Sequence, residues 1–179
     1  MKSKPFFLPL LSVLLFLAGI ALDIALSSGV VWAELEASLY GTQSDDASLA
    51  LACPVILSRI ETGSVSTSVT NTLDQDVLPV VIAEISSANG PQSSNQTLSL
   101  TAHESQSLQW SVNATNIIFG RLILVNISQR RYSDLDPHQG SCGILVLNFF
   151  NLTGKEILGL IFFGSLALIL IGGILWRRI

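Results

Sequence analysis

The chain has 179 residues, 49% of them hydrophobic, with a mean hydropathy of +0.57 and a formal net charge of −4. Between Glu34 and Gly154 the imbalance is steeper, with Arg59, Arg121, Arg130 and Arg131 set against eleven acids for a net charge of −7. That balance makes the segment a poor candidate for binding nucleic acid or anionic lipid head groups, because both repel it.

The N-terminus opens with Lys2 and Lys4, followed by the apolar stretch "PFFLPLLSVLLFLAGIAL". Pro5 and Pro9 fall in the first turns, where a missing N–H does least harm. The stretch predicts a membrane-spanning signal anchor over residues 6–27, behind a cytoplasmic N-terminus of residues 1–5. A cleaved signal peptide is the competing reading, with cleavage after Ser27 or Ala33. Asp23 lies at the outer end of the helix, within reach of water and head groups.

Residues 28–155 then form an exported domain, long enough for one hydrophobic core. The periodicity changes there from helical to two-residue. "WAELEASLY" sets Leu35, Ala37 and Leu39 against Glu34, Glu36 and Ser38, and "SLALAC" alternates Leu49, Leu51 and Cys53. "GSVSTSVTN", "DVLPVVIAEIS", "QTLSLT", "QSLQWSV", "NIIFGRLILVNIS" and "CGILVLNFF" follow. Pro79 marks an edge or bulge. Eight short strand candidates without a soluble helix predict an all-β sandwich of about seven or eight strands. "NTLDQD" (71–76) reads as a hairpin loop, "SANGPQSSN" (87–95) as an exposed loop, and "SQRRYSDLDPHQGS" (128–141) as the longest connection.

Cys53 and Cys142 are both in the exported part. An even count in an oxidising compartment predicts a disulfide closing a loop of about 90 residues. "LALAC" resembles a lipobox only superficially, since Asp45 and Asp46 separate Cys53 from any signal-like core.

The chain ends in an uncharged run from Ile157 to Trp176, then Arg177 and Arg178. At about 1.5 Å per residue such a run spans roughly 30 Å, the thickness of a bilayer's hydrocarbon. A second membrane helix is expected over 156–176, with a cytoplasmic tail of 177–179 by the positive-inside rule. The chain is thus expected to cross the plasma membrane twice, with both termini cytoplasmic.

"SVSTSVTNTLDQDVLPVVIAEIS" and "QTLSLTAHESQSLQWSV" resemble the immunoglobulin-like β-sandwich domains of bacterial surface proteins. The likeness rests on Val69-Thr70-Asn71, which opens a polar loop, and on Glu104-Ser105 through Trp110. It implies a fold and a tendency toward adhesion or assembly, and it carries no catalytic residue. The antibody pattern of Cys, Trp and Cys is not met, because Cys142 sits in the last strand.

Candidate chemistry is sparse. Asp134, Asp136 and His138, at two-residue spacing in "SDLDPH", are a candidate metal set. They fall short of calcium's six to eight oxygens and of zinc's three protein ligands, so a solvated turn is the favoured reading. Arg130-Arg131-Tyr132 has the chemistry to hold an acidic partner or a lipid phosphate, but solvated side chains at a strand end are the favoured reading. Asn95, Asn113, Asn126 and Asn151 head N-glycosylation sequons. No Ser–His–Asp spacing, phosphate loop, CxxC or haem signature is present. No cofactor, nucleic acid or small-molecule substrate is implied. The expected role is a non-enzymatic accessory or structural subunit whose partners are the lipid bilayer and other membrane subunits. The alternatives are a cell-surface adhesion or ligand-binding glycoprotein and, more remotely, a metal-dependent extracytoplasmic enzyme.

Overall fold

The computed structural model describes residues 7–40, 47–130, 138–149 and 151–177. They form two compact units, one of residues 30–154 and one joining the N-terminal segment up to Gly29 with residues from Lys155 onward.

Among its described residues the first unit carries nine strands: β1 (Ala47–Ser48), β2 (Leu51–Ala52), β3 (Ile56–Ser58), β4 (Gly63–Thr70), β5 (Val80–Ile85), β6 (Gln92–Thr97), β7 (Ser105–Val112), β8 (Leu122–Arg130) and β9 (His138–Leu147). One sheet runs β1-β9-β8-β5-β6, with β3 pairing parallel to β9, and the other runs β2-β4-β7. Alternation decides which side chains meet between the sheets. Val65 and Val69 of β4 and Leu108, Trp110 and Val112 of β7 share one core with Val81, Ala83 and Ile85 of β5 and Ile123, Val125 and Ile127 of β8. A two-residue period with one covered face produces this pattern. The central strands β8 and β9 carry continuous buried runs because both of their faces are covered. The order β9-β8-β5-β6 over β2-β4-β7 corresponds to the G-F-C-C′ and A-B-E arrangement of immunoglobulin-type sandwiches, without a D strand.

Several expectations change. "WAELEASLY" is helical, not a strand: α1 runs from Phe7 to Tyr40 without interruption. Ala33 and Ala37, four apart, are fully buried, whereas Leu35 and Leu39 are exposed. Glu, Leu and Ala are strong helix formers and no breaker stops the helix, so the apparent alternation was an accident of short sampling. The Val30–Tyr40 segment lies against β9, where a Cβ on Gly143 would collide with the Ala33 carbonyl. Gly143→Val is expected to cost about 1–3 kcal/mol through overpacking, read as a fall in denaturant midpoint of the detergent-solubilised chain.

The 71–76 segment is not a hairpin, because β4 and β5 belong to different sheets. It carries the chain from one layer to the other. The 87–95 loop shrinks, since β6 starts at Gln92, and the long connection shrinks because β8 reaches Arg130 and β9 begins at His138. Both strands are polar at these ends, so hydrophobic alternation could not mark them.

The second unit pairs the N-terminal part of α1 with α2 (Gly154–Arg177) from Lys155 onward. Small residues let the backbones approach. The Ser12 hydroxyl donates to the Gly172 carbonyl at 2.7 Å. A Cβ on Gly19 would press on Ser165 and Ile169, and one on Gly172 on Ser12 and Phe16. This is the packing that apolar solvents favour, since burial supplies no driving force there. An apolar cavity of about 300 Å³ lies between Phe16 and Leu17 on one helix and Gly172, Gly173 and Trp176 on the other.

Candidate functional site

The ladder registers define two ends of the β unit. Thr70 pairs Ser105, and Val80 pairs Thr97 and Arg130, at one end. Gly63 pairs Val112, Ile85 pairs Gln92, and Leu122 pairs Leu145 at the other. We term these the crossover end and the attachment end, because the chain leaves the unit after Gly154 beside the second.

At the crossover end Asn71 is fully buried. Its Nδ2 donates to the carbonyls of Gln75 (2.7 Å), Thr101 (2.9 Å) and, more weakly, Leu100 (3.4 Å), while Oδ1 accepts from the Leu73 N–H at 3.0 Å. One side chain therefore ties the β4–β5 crossover to the β6–β7 loop. Asn71→Ala orphans those buried groups and is expected to cost about 1–3 kcal/mol, measured by thermal unfolding of the solubilised chain. Glu104 closes the adjacent turn: Oε2 accepts from the Thr101 N–H at 2.8 Å and from its hydroxyl at 2.9 Å. The backbone bond first, and the hydroxyl bond second, hold the Glu104 carboxyl below the usual glutamate range. The folded-state value is depressed, so this support is present at neutral pH and is lost as pH falls through it. His103 Nε2 lies 2.9 Å from Asp74 Oδ1 in the same exposed region.

Cys53 and Cys142 are joined, with Cα atoms 6.6 Å apart. Cys53 follows β2 in the three-stranded sheet, and Cys142 lies in β9 of the six-stranded one. The bridge thus fixes the point where the chain switches sheets between β2 and β3. At the far end of α1, burial first and the Glu84 carboxylate second push the Tyr40 phenol above its ordinary value.

The sequons differ in access. Asn95 is exposed on β6, with its partner strand β5 on one side. Asn113 caps a short 3-10 turn, Ala114–Asn116, its Oδ1 accepting from the N–H and hydroxyl of Thr115. Asn151 is exposed with φ +58°. Asn126 is 5% exposed in β8 and accepts from Gln139 Nε2 at 2.9 Å. His138 opens β9, half-buried. Asp134 and Asp136, with Arg131 and Tyr132, lie outside the described residues. Among the described residues no cluster of three or more His, Cys, Asp or Glu has metal-binding geometry.

The attachment end holds what the alternation pattern hid. "NIIFGRLILVNIS" is not one strand: Ile118 bridges Leu122 around a tight turn, with Phe119 at φ +50° and Gly120 at φ +71°. The glycine inside the apolar run was the available signal. Arg59 Nη2 donates to the Gly120 carbonyl at 2.8 Å, and the Arg121 guanidinium stacks 4.6 Å over the Trp32 ring. Glu61 Oε2 accepts from the Gly154 N–H at 2.7 Å and the Ser58 N–H at 3.3 Å.

No known family profile matches the sequence, and no curated protein matches it. Among solved structures, the CARDB domain of a Pyrococcus furiosus protein, in complex with di-metal ions, superposes at TM-score 0.43 and 14% identity, over 60% of this chain and 100% of that one. A Paenibacillus cycloisomaltooligosaccharide glucanotransferase gives 0.44 and 15%, over 60% of this chain and 14% of the enzyme. Bacteroides uniformis β-glucuronidase 2 gives 0.37 and 19%, over 54% and 12%. The chain therefore spans only a small part of these enzymes' length.

Proposed function

We propose that this protein is a non-enzymatic, membrane-anchored β-sandwich that serves as an accessory or structural subunit of a membrane complex. The observation that carries the anchoring is the character of the two helices. Phe7–Tyr40 and Gly154–Arg177 contain windows of mean hydropathy 2.4 and 2.6, of which only 11% and 17% are buried. Side chains this apolar and this exposed suit a hydrocarbon solvent. Each helix satisfies its own backbone, which is the condition for crossing lipid. The sandwich between them faces the extracytoplasmic side, as the flanking Lys2, Lys4, Arg177 and Arg178 and the disulfide favour.

The subunit role is supported by what the sandwich offers: a two-sheet body stapled across its sheets by a disulfide. Purification of the full chain in mild detergent tests it. Stoichiometric partner proteins are expected to co-purify, and a chain that runs alone at its own mass contradicts the role. Exposed Asn95 and half-buried Asn113 favour a second reading, a surface glycoprotein that binds a ligand. Glycan occupancy at both, with external protease accessibility in intact cells, would support it over the first.

A further inference from the structure

We propose that the attachment end of the β unit docks directly on the bilayer, with Phe119 and Ile60 entering the upper acyl layer and Arg59 and Arg121 meeting lipid phosphates. This rests on the membrane-anchored reading above.

Distance along the chain sets the depth. If the hydrocarbon begins at Ile157, Gly154 stands only about 5 Å above it along the helix axis. The head-group layer on each side of a bilayer is of about that thickness or slightly more. Gly154 is therefore among the head groups, and so is the Glu61 carboxylate that accepts its N–H at 2.7 Å. Ile60 is the next residue, 63% exposed. Arg59, the one before, holds the 117–121 turn through Gly120. That turn presents Phe119, 74% exposed, at its tip. Its Arg121 stacks on Trp32, two residues inside the other end of the unit.

The chemistry suits a lipid surface. Trp and Arg are interfacial side chains, and a large apolar residue at a turn tip is costly in water but stable among acyl chains. A left-handed φ at a bulky residue such as Phe119 is unusual and implies that its placement is held by the surrounding turn. The described crossover-end loops carry Asp74, Asp76 and Glu104. At the attachment end the carboxylate of Glu61 accepts from two backbone N–H groups, and the exposed Arg59 and Arg121 outnumber it in these loops. The net charge of −7 over residues 34–154 thus misdescribes this face.

Spin-label depth measurement on the full chain, disulfide intact, tests the proposal. Single labels at Phe119→Cys, Ile60→Cys, Asp74→Cys and Leu166→Cys are read in vesicles of phosphatidylcholine and phosphatidylglycerol, using oxygen and a water-soluble nickel chelate. Labels at 119 and 60 are expected to favour oxygen several-fold over the label at 74, approaching the one at 166. Labels at 119 and 60 as nickel-accessible as 74, with 166 in hydrocarbon, would overturn docking and leave anchoring intact. Label 166 in water would overturn both. Exchanging Arg59 and Arg121 for Gln is expected to move the label at 60 toward water, and exchanging them for Lys to restore it. No shift in the Gln variant overturns the arginines' part.

Discussion

Cys142→Ala is expected to lower the stability of the β unit by about 2–5 kcal/mol, the range for removing a native disulfide from a small exported domain. The bridge spans a sequence separation of 89. In the chain-entropy model, closing a loop of that size restricts the unfolded chain by roughly 4–5 kcal/mol. It also has a local task. β2 and β3 are two and three residues long, and the chain changes sheets between them. Strands that short contribute few ladder bonds of their own, so the covalent link at Cys53 holds their placement. Cys53→Ala is therefore expected to match Cys142→Ala, and the double variant to add little to either. Denaturant unfolding of the solubilised chain gives the numbers. Thiol labelling of the denatured, unreduced wild-type chain checks the premise, with no reactive thiol expected until reductant is added.

The second large effect is expected at Trp110. Its side chain is 7% exposed in the shared core, and truncation to Ala removes the largest apolar body that β7 supplies, at about 3–5 kcal/mol. Its indole Nε1 is buried without a hydrogen-bond partner. A buried donor left unpaired is costly, so Trp110→Phe removes that penalty while leaving a smaller cavity. Trp110→Phe is expected to cost less than half of Trp110→Ala. Equal losses would mean that the indole N–H is satisfied by water in solution.

Much of the sandwich was legible because its core strands follow the two-residue rule. Val65, Thr67 and Val69 in β4, and Leu108, Trp110 and Val112 in β7, face inward as their alternation requires. The same rule failed in "WAELEASLY", where three apolar residues at alternate positions also satisfy a helix whose buried pair is Ala33 and Ala37. Small residues carry little weight in a hydropathy pattern, yet here they are what lets the helix approach Gly143. β6, "QSSNQT", carries no apolar residue, so only its pairing with β5 defines it. The attachment end was illegible for another reason. Arg59, Phe119 and Trp32 are far apart in sequence, and no spacing rule joins them before the strands are laid side by side. In the sequence Asn71 reads as a loop former, and its buried bonds to Leu100 and Thr101 depend on the same long-range pairing.

In the topology proposed above, the β unit stands outside the membrane on two spanning helices. An impermeant maleimide applied to intact cells tests it most directly, with single cysteines introduced as Asp74→Cys and Lys2→Cys and the native pair held in its disulfide. Labelling is expected at position 74 in intact cells and at position 2 only after permeabilisation. Labelling at position 74 only after permeabilisation, or release of the chain from membranes by alkaline carbonate, would contradict it.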